Sequence, residues 1–146
     1  MKSVNITEVV TSLLKEYIQN SKRASEQLDI RLPHGNIWIL AQEKILIRIL
    51  CNLIDNALKY STGDIMFYMW GESEYCHIQI SNPSDYISDE ELKSIFDLFY
   101  TKDEARIKSS GIGLYATRKL VIQISGDIQV NYEAGIFTVS IKLPLI

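Results

Sequence analysis

Cysteine, histidine, proline and excess charge are all scarce in this chain, and each shortage removes a class of function. The two cysteines, Cys51 and Cys76, lie apart beside apolar residues, without the paired spacing of a disulfide framework, a zinc site or a redox motif. They are expected to be reduced core thiols. The two histidines are equally isolated: His34 falls in the turn Pro33-His34-Gly35, and His77 alternates outward on a predicted strand. Neither has the neighbours of a catalytic histidine. A net charge of −3 and an isoelectric point near 5.4 give no basic footprint, so nucleic acid is not an expected partner. No apolar run reaches the ~20 residues of a membrane span, and Met1-Lys2-Ser3 does not lead into a signal-peptide core. The expectation is a soluble, cytoplasmic chain.

What the chain does have is enough apolar content for one sizeable core: 47% of its 146 residues are hydrophobic, and no repeat or low-complexity segment divides them. A single domain spanning 1–146 is predicted. Asn5 or Thr7 can cap a first helix, whose apolar positions Val9, Val10, Leu13, Leu14, Tyr17 and Ile18 recur at helical spacing. Short strands near Leu28–Leu32 and Ile37–Leu40 flank the Pro-His-Gly turn. A long helix from about Gln42 to Tyr60 follows, ended by Thr62-Gly63-Asp64. Strands near Ile65–Trp70 and Glu74–Ser81 read as a hairpin. Ser88-Asp89-Glu90-Glu91 reads as a capped start for a short helix over Glu90–Phe96. Thr101 to Ser110 is polar and aperiodic, the pattern of a mobile loop. A last helix runs to about Ile124 with Gly126 placed to terminate it, and two alternating strands, 128–132 and 137–143, complete the chain. The predicted fold is α/β (α+β): a two-layer sandwich with a mixed sheet of about five strands and about three helices on one face.

Two segments carry chemistry. At ~100° per residue, Arg48, Asn52, Asn56 and Lys59 fall within a stripe roughly 80° wide on the long helix, while Leu46, Ile49, Leu50, Leu53, Ile54 and Ala57 fill the opposite arc. Amide oxygens are hard ligands suited to Mg²⁺, and a neighbouring lysine suits phosphate oxygens, so the stripe suggests a site for a metal-bound nucleotide. The alternative is a half-exposed helix whose two asparagines are accidental. The second segment is Ser109-Ser110-Gly111-Ile112-Gly113-Leu114, which leads straight into the last helix. Glycine lets backbone approach an anion, and a helix N-terminus favours phosphate. It is neither a Walker A loop nor a dinucleotide fingerprint, and alone it reads equally as an ordinary loop-to-helix turn.

In order and spacing, Asn52 to Ser61, Ile95-Phe96-Asp97-Leu98-Phe99-Tyr100 and Ser109 to Leu114 resemble the N box, F box and second glycine box of the catalytic and ATP-binding (HATPase) domain of bacterial two-component sensor histidine kinases, within the GHKL or Bergerat-fold superfamily. The closing run from Ile124 to Pro144 resembles the same family's usual ending. The resemblance implies that Asn56, and to a lesser degree Asn52, coordinate Mg²⁺, and that Lys59 and Tyr60 contact phosphate and the nearby nucleotide. It implies that Gly111, Ile112, Gly113 and Leu114 offer backbone N–H groups to the phosphates. Thr101 to Ser110 corresponds to the ATP lid, in which Lys102, Arg106 and Lys108 would neutralise the triphosphate, or else form a solvated basic loop. Asn82 takes the place of the adenine-binding aspartate, and Ile87 and Phe99 are carried over as nucleotide-binding positions.

Several departures from the pattern matter. Ser84 and Tyr86 replace both glycines of the adenine box, Ser109 replaces the first glycine of the second box, and Gly135-Ile136 stands where a threonine often precedes the residue matching Phe137. Hydrolytic relatives carry glutamate at the Asn52 position, and an amide cannot serve as that general base. The implied activity is a protein-histidine kinase domain that delivers the γ-phosphoryl group of ATP to a histidine on a separate dimerisation domain, for relay to a response-regulator aspartate. No His-Glu or His-Asp motif occurs in the chain, so no catalytic residue of that kind is assigned. The chain reads as a cytoplasmic, monomeric fragment of a longer sensor kinase, of a family that is mostly membrane-bound, unable to autophosphorylate alone. The competing readings are a nucleotide-free regulatory module docking through Phe96, Phe99 and Tyr100, and an anti-sigma-type serine kinase.

Overall fold

The computed structural model describes residues 1–97 and 113–146. In chain order they form β1 (Lys2–Asn5), α1 (Ile6–Asn20), α2 (Lys22–Gln27), β2 (Leu28–Arg31), β3 (Trp38–Ala41), α3 (Glu43–Tyr60), β4 (Ile65–Glu72), β5 (Tyr75–Pro83), α4 (Asp89–Ser94), α5 (Tyr115–Gln123), β6 (Asp127–Glu133) and β7 (Ile136–Pro144). A five-stranded sheet has the order β2-β4-β5-β7-β6; β2 runs parallel to β4 and the other neighbours are antiparallel. The mixed sheet and helical layer agree with the expectation.

Alternation decides which face is covered. Ile65, Phe67 and Met69 of β4, Cys76, Ile78 and Ile80 of β5, and Phe137, Val139, Ile141 and Leu143 of β7 are buried in one cluster with Leu46, Ile49, Leu50, Leu53, Ile54 and Ala57 of α3. Each such aliphatic or aromatic side chain contributes roughly 1.5–3 kcal/mol by leaving water. Between them on the strands, Tyr68, Trp70, His77 and Lys142 stay at least partly exposed on the other face. Trp70 stacks on His77 at 5.0 Å there, which accounts for a histidine with no chemistry of its own. Among the described residues no helix is long and apolar enough to cross a membrane.

The strands on either side of the Pro-His-Gly turn belong to different sheets. β2 joins the main sheet, whereas β3 pairs antiparallel with β1 in a two-stranded sheet. Thr7 does not cap α1; that cap is Asn5, whose Oδ1 accepts the Glu8 N–H at 3.2 Å. The Thr7 hydroxyl instead accepts the Ile37 N–H at 2.9 Å, pinning the loop to the helix. The capping box at α4 forms as read: Ser88 Oγ accepts the Glu91 N–H and the Glu91 carboxylate accepts the Ser88 N–H. Termination of α5 differs from expectation. Ser125, at φ 65°, takes the left-handed position, and Gly126 serves a different need. A Cβ at Gly126 would lie 2.9 Å from the Lys142 carbonyl oxygen and 2.6 Å from Leu143 Cδ2, so only glycine lets the turn approach β7.

Burial pushes the Cys76 thiol up from its ordinary 9.0 to about 12. Unfolded chain loses this proton near pH 9 while folded chain keeps it, so stability is complete below pH 9 and falls as pH rises toward 12. Urea unfolding is expected to show a loss of about 1 kcal/mol from this group between pH 9 and 10, because the unfolded thiol is only half-ionised at pH 9. Above pH 10 the slope steepens, because burial and the Asp55 carboxylate hold Tyr17 well above its ordinary 10.0 as well. A flat profile in wild type, or an unchanged slope from pH 9 to 10 in Cys76→Ala, would contradict this assignment.

Candidate nucleotide site

The polar stripe of α3 is where the sequence put it. The six apolar positions opposite it are all buried, which fixes the helix rotation and leaves Asn52 and Asn56 half-buried and Lys59 exposed. Two contacts anchor the helix at either end of that stripe. The Asn52 Nδ2 points to the hydroxyl of Thr117 on α5 at 3.5 Å, and Thr117 is itself buried. Past the other end, the Thr62 N–H donates to the Pro83 carbonyl at 2.9 Å, tying the exit of α3 to the end of β5. The stripe therefore runs between the first turn of α5 and the end of β5. Lys59 lies 5.4 Å over the Tyr60 ring, so the cation and the aromatic act as one unit.

Asn82, next to last in β5, is only 3% exposed. Its Nδ2 donates to the Pro83 carbonyl at 3.1 Å, while its Oδ1 accepts no hydrogen bond among the described residues. Two residues on, the Ser84 N–H is held by the Gly135 carbonyl at 3.1 Å, so serine replaces the first glycine of the box without an unpaired amide. Tyr86 turns its ring out to solvent, edge-on to Tyr132 at 6.2 Å, and does not fill the interior. Ile87, the next residue, is buried.

Leu114 is buried, and its N–H donates to the Ile95 carbonyl at 2.8 Å. That backbone donor is thereby engaged within the protein, unlike the neighbouring Gly113, for which no such bond exists among the described residues. Phe96 is packed against the core with the Arg118 guanidinium 5.2 Å over its ring, so it is not a free docking side chain. Phe99, Tyr100, Lys102, Arg106, Lys108, Gly111 and Ile112 lie outside the described residues.

Among the described residues no three His, Cys, Asp or Glu side chains gather to hold a metal ion. Among the described residues an all-protein metal cage is thus not available. The two stripe asparagines offer hard amide oxygens of the kind that supplement phosphate oxygens around Mg²⁺. An open groove of about 560 Å³ lies elsewhere, between β1, α1 and the start of α3, lined in part by Asn5, Glu8, Trp38 and Glu43. It shares no residue with the stripe.

Three supporting groups had no legible signal in the sequence. Thr117 is an ordinary helix residue until α5 meets α3. Arg23, on α2, donates through Nη1 to the Leu58 carbonyl and through Nη2 to the Ser61 carbonyl at 2.6 Å, capping the C-terminus of α3 from 35 and 38 residues away. The Pro83 carbonyl is invisible to any motif.

Comparison with known proteins gives this arrangement a family. Residues 41–146 match the family described as histidine kinase-, DNA gyrase B-, and HSP90-like ATPase. The chain is 28% identical to the sensor protein RprX of Bacteroides fragilis, covering 100% of this chain and 30% of that protein. It is 27% identical to the sensor histidine kinase YcbM of Bacillus subtilis, covering 95% and 47% respectively, so it spans less than half the length of either relative. Among solved structures, the mycobacterial sensor histidine kinase MprB superposes with a TM-score of 0.77 at 19% identity, over 99% of this chain and 97% of that one. The histidine kinase domain of the Escherichia coli osmosensor EnvZ does so with a TM-score of 0.77 at 22% identity, over 100% and 89%. The chain belongs to the histidine kinase-, DNA gyrase B- and HSP90-like ATPase family, as an ATP-binding domain of the histidine-kinase kind.

Proposed function

We propose that this domain binds ATP with Mg²⁺ and presents the γ-phosphoryl group to a histidine on a separate helical dimerisation domain, from which it passes to an aspartate of a response regulator. The observation that carries the reading is the pair of half-buried asparagines on α3, set between the first turn of α5 and the buried Asn82 at the end of β5. Asn56 and Asn52 would hold the metal, Lys59 would meet phosphate, Tyr60 and Ile87 would line the nucleotide, and Asn82 would receive the adenine amino group. Gly111, Ile112 and Gly113 would present backbone N–H groups to phosphate, with Phe99 contacting the nucleotide and Lys102 neutralising the triphosphate. Leu114, its own N–H engaged, would instead seat the start of α5.

Bound Mg²⁺ would supply neutralisation of the phosphate charge. The chain's own part is positioning. Asn52 has no basic atom to activate water, so it favours retention of the γ-phosphoryl group for an incoming nucleophile over hydrolysis. The Lys59 ammonium offsets phosphate charge, and the N-terminal turn of α5 supplies partial positive charge. Phosphoryl transfer needs chiefly alignment and electrostatic support, so the nucleophile can come from another domain.

The test is transfer of labelled γ-phosphate from Mg-ATP to a supplied histidine-bearing dimerisation domain and, in parallel, to a serine substrate of the anti-sigma type. Label on histidine, acid-labile and absent from serine, is the expected result. Label on serine alone would replace this reading with the serine-kinase one.

A further inference from the structure

The groove beside β1 offers chemistry that nucleotide binding leaves unused. β1 is paired on one side only: its neighbour is β3, and among the described residues no strand lies beyond it. The register shows which of its backbone groups are left over. Ile6, the residue after β1, continues the ladder by donating its N–H to the Ile37 carbonyl at 2.9 Å, so by the two-residue period Val4 and Lys2 also turn their amides toward β3. The far side of β3 has the same phase, since the Trp38 carbonyl, opposite Asn5, points away from β1 and accepts the Ile146 N–H at 3.2 Å. The N–H and C=O of Ser3 and the N–H of Asn5 therefore face an open edge. None of the three has a hydrogen-bond partner among the described residues.

Every residue of β1 lines the groove. From α1 come two rows: Glu8, Ser12 and Glu16 recur every four residues, each acidic position one place before the half-buried Val9 or in step with Leu13. Glu43 and Ile47 of α3 repeat the pairing of an acidic with an apolar side chain. The three carboxylates are exposed, and among the described residues none of them forms an ion pair. Lys2 is the one cation in the lining among the described residues, and the half-exposed Trp38 adds an indole.

We propose that β1 is a docking edge for an extended basic segment of a partner protein, which adds to β1 as a third strand and sets its lysine or arginine side chains against Glu8, Glu16 and Glu43. Two features choose this occupant. The open edge calls for extended backbone, because a strand satisfies the Ser3 and Asn5 groups and a docked helix, its own backbone bonds already made, does not. Three carboxylates against one ammonium call for positive charge and repel an anionic partner. Val9, Leu13 and Ile47 give the aliphatic side chains of such a segment a surface to cover, and the Trp38 ring offers its face to a cation. The groove shares no residue with the polar stripe of α3, so docking there stands or falls independently of nucleotide binding.

Fluorescence anisotropy of a dye-labelled peptide of lysine and valine, titrated with the full chain, tests this. Saturable binding is expected, weakening as salt is raised, and a peptide with glutamate in place of lysine is expected not to bind. Glu8→Gln, Glu16→Gln and Glu43→Gln combined are expected to weaken the lysine peptide about tenfold while the melting temperature stays close to wild type. The same peptide N-methylated at alternate residues keeps its charge but loses one row of backbone donors, and is expected to bind at least about tenfold more weakly. Trp38 emission, read in a Trp70→Phe background that leaves it the only tryptophan, is expected to shift to the blue as the peptide covers the indole. Equal binding of the lysine and glutamate peptides, or undiminished affinity in the triple variant, would overturn the choice of a basic partner. Undiminished affinity of the N-methylated peptide would overturn strand addition. Dimerisation of the chain alone, abolished by the triple variant, would give the groove to a second copy and overturn the proposal.

Discussion

Replacing Asn56 by alanine is expected to abolish Mg²⁺-dependent nucleotide binding, a loss of at least about 100-fold, while the thermal midpoint stays close to wild type. The two halves of that expectation have separate causes. Asn56 is half-buried on α3 and its side chain makes no hydrogen bond among the described residues, so its removal orphans no partner. Alanine is also the better helix former by about 0.5 kcal/mol, which offsets any lost packing. For the ligand the change is severe. Mg²⁺ is held mainly by phosphate oxygens and waters with one or two protein oxygens, and the described residues hold no carboxylate cluster to substitute for a missing amide oxygen. Calorimetry with and without the metal checks it, and undiminished metal-dependent affinity would remove Asn56 from the metal site.

Arg23→Met is expected to lower stability by about 3 kcal/mol, or a midpoint shift of roughly 8 °C, although Arg23 touches nothing that the ligand would touch. Its guanidinium bonds the Leu58 and Ser61 carbonyls, two acceptors left open at the end of α3, and its Nε donates to Gln27 at 2.6 Å. A positive charge at a helix C-terminus is favoured by the helix dipole as well. Methionine keeps the aliphatic stem and removes all three bonds, leaving the carbonyls of the last turn to water. That turn carries Lys59 and Tyr60, so fraying is expected to weaken nucleotide affinity alongside stability. Urea unfolding measures the first effect; a midpoint within 2 °C of wild type would show that the cap is not holding the helix.

These two residues mark what could be read from the sequence and what could not. Asn56 was legible because α3 is long and its two faces differ sharply; the six residues assigned to the core are the six that are buried. The same held for β7, whose alternation of Phe137, Val139, Ile141 and Leu143 with polar residues maps directly onto buried and half-exposed sites. Arg23 was not legible, because its partners lie 35 and 38 residues away and only the packing of α2 against the end of α3 brings them together. Short elements failed for a related reason. β1 offers four residues with a single buried side chain, Val4, and α2 offers six with only Ala24 buried, too few for either to show a period. The separation of β2 and β3 into two sheets is a tertiary choice: both are four-residue strands, and pairing partners 33 to 39 residues apart decide where each belongs. In the candidate site, residue types were legible but their hydrogen bonds were not. Nothing in Gly113-Leu114-Tyr115 announces that the Leu114 N–H is engaged by Ile95, and nothing in Asn82-Pro83 announces which way the amide is turned.

The most direct measurement is a calorimetric titration of the wild-type chain with a non-hydrolysable ATP analogue, once with Mg²⁺ and once with chelator. One-to-one binding that depends on the metal, accompanied by thermal stabilisation, is the expected result. Absence of heat and of stabilisation at millimolar ligand would contradict the nucleotide site itself, and the domain would then have to act by docking alone.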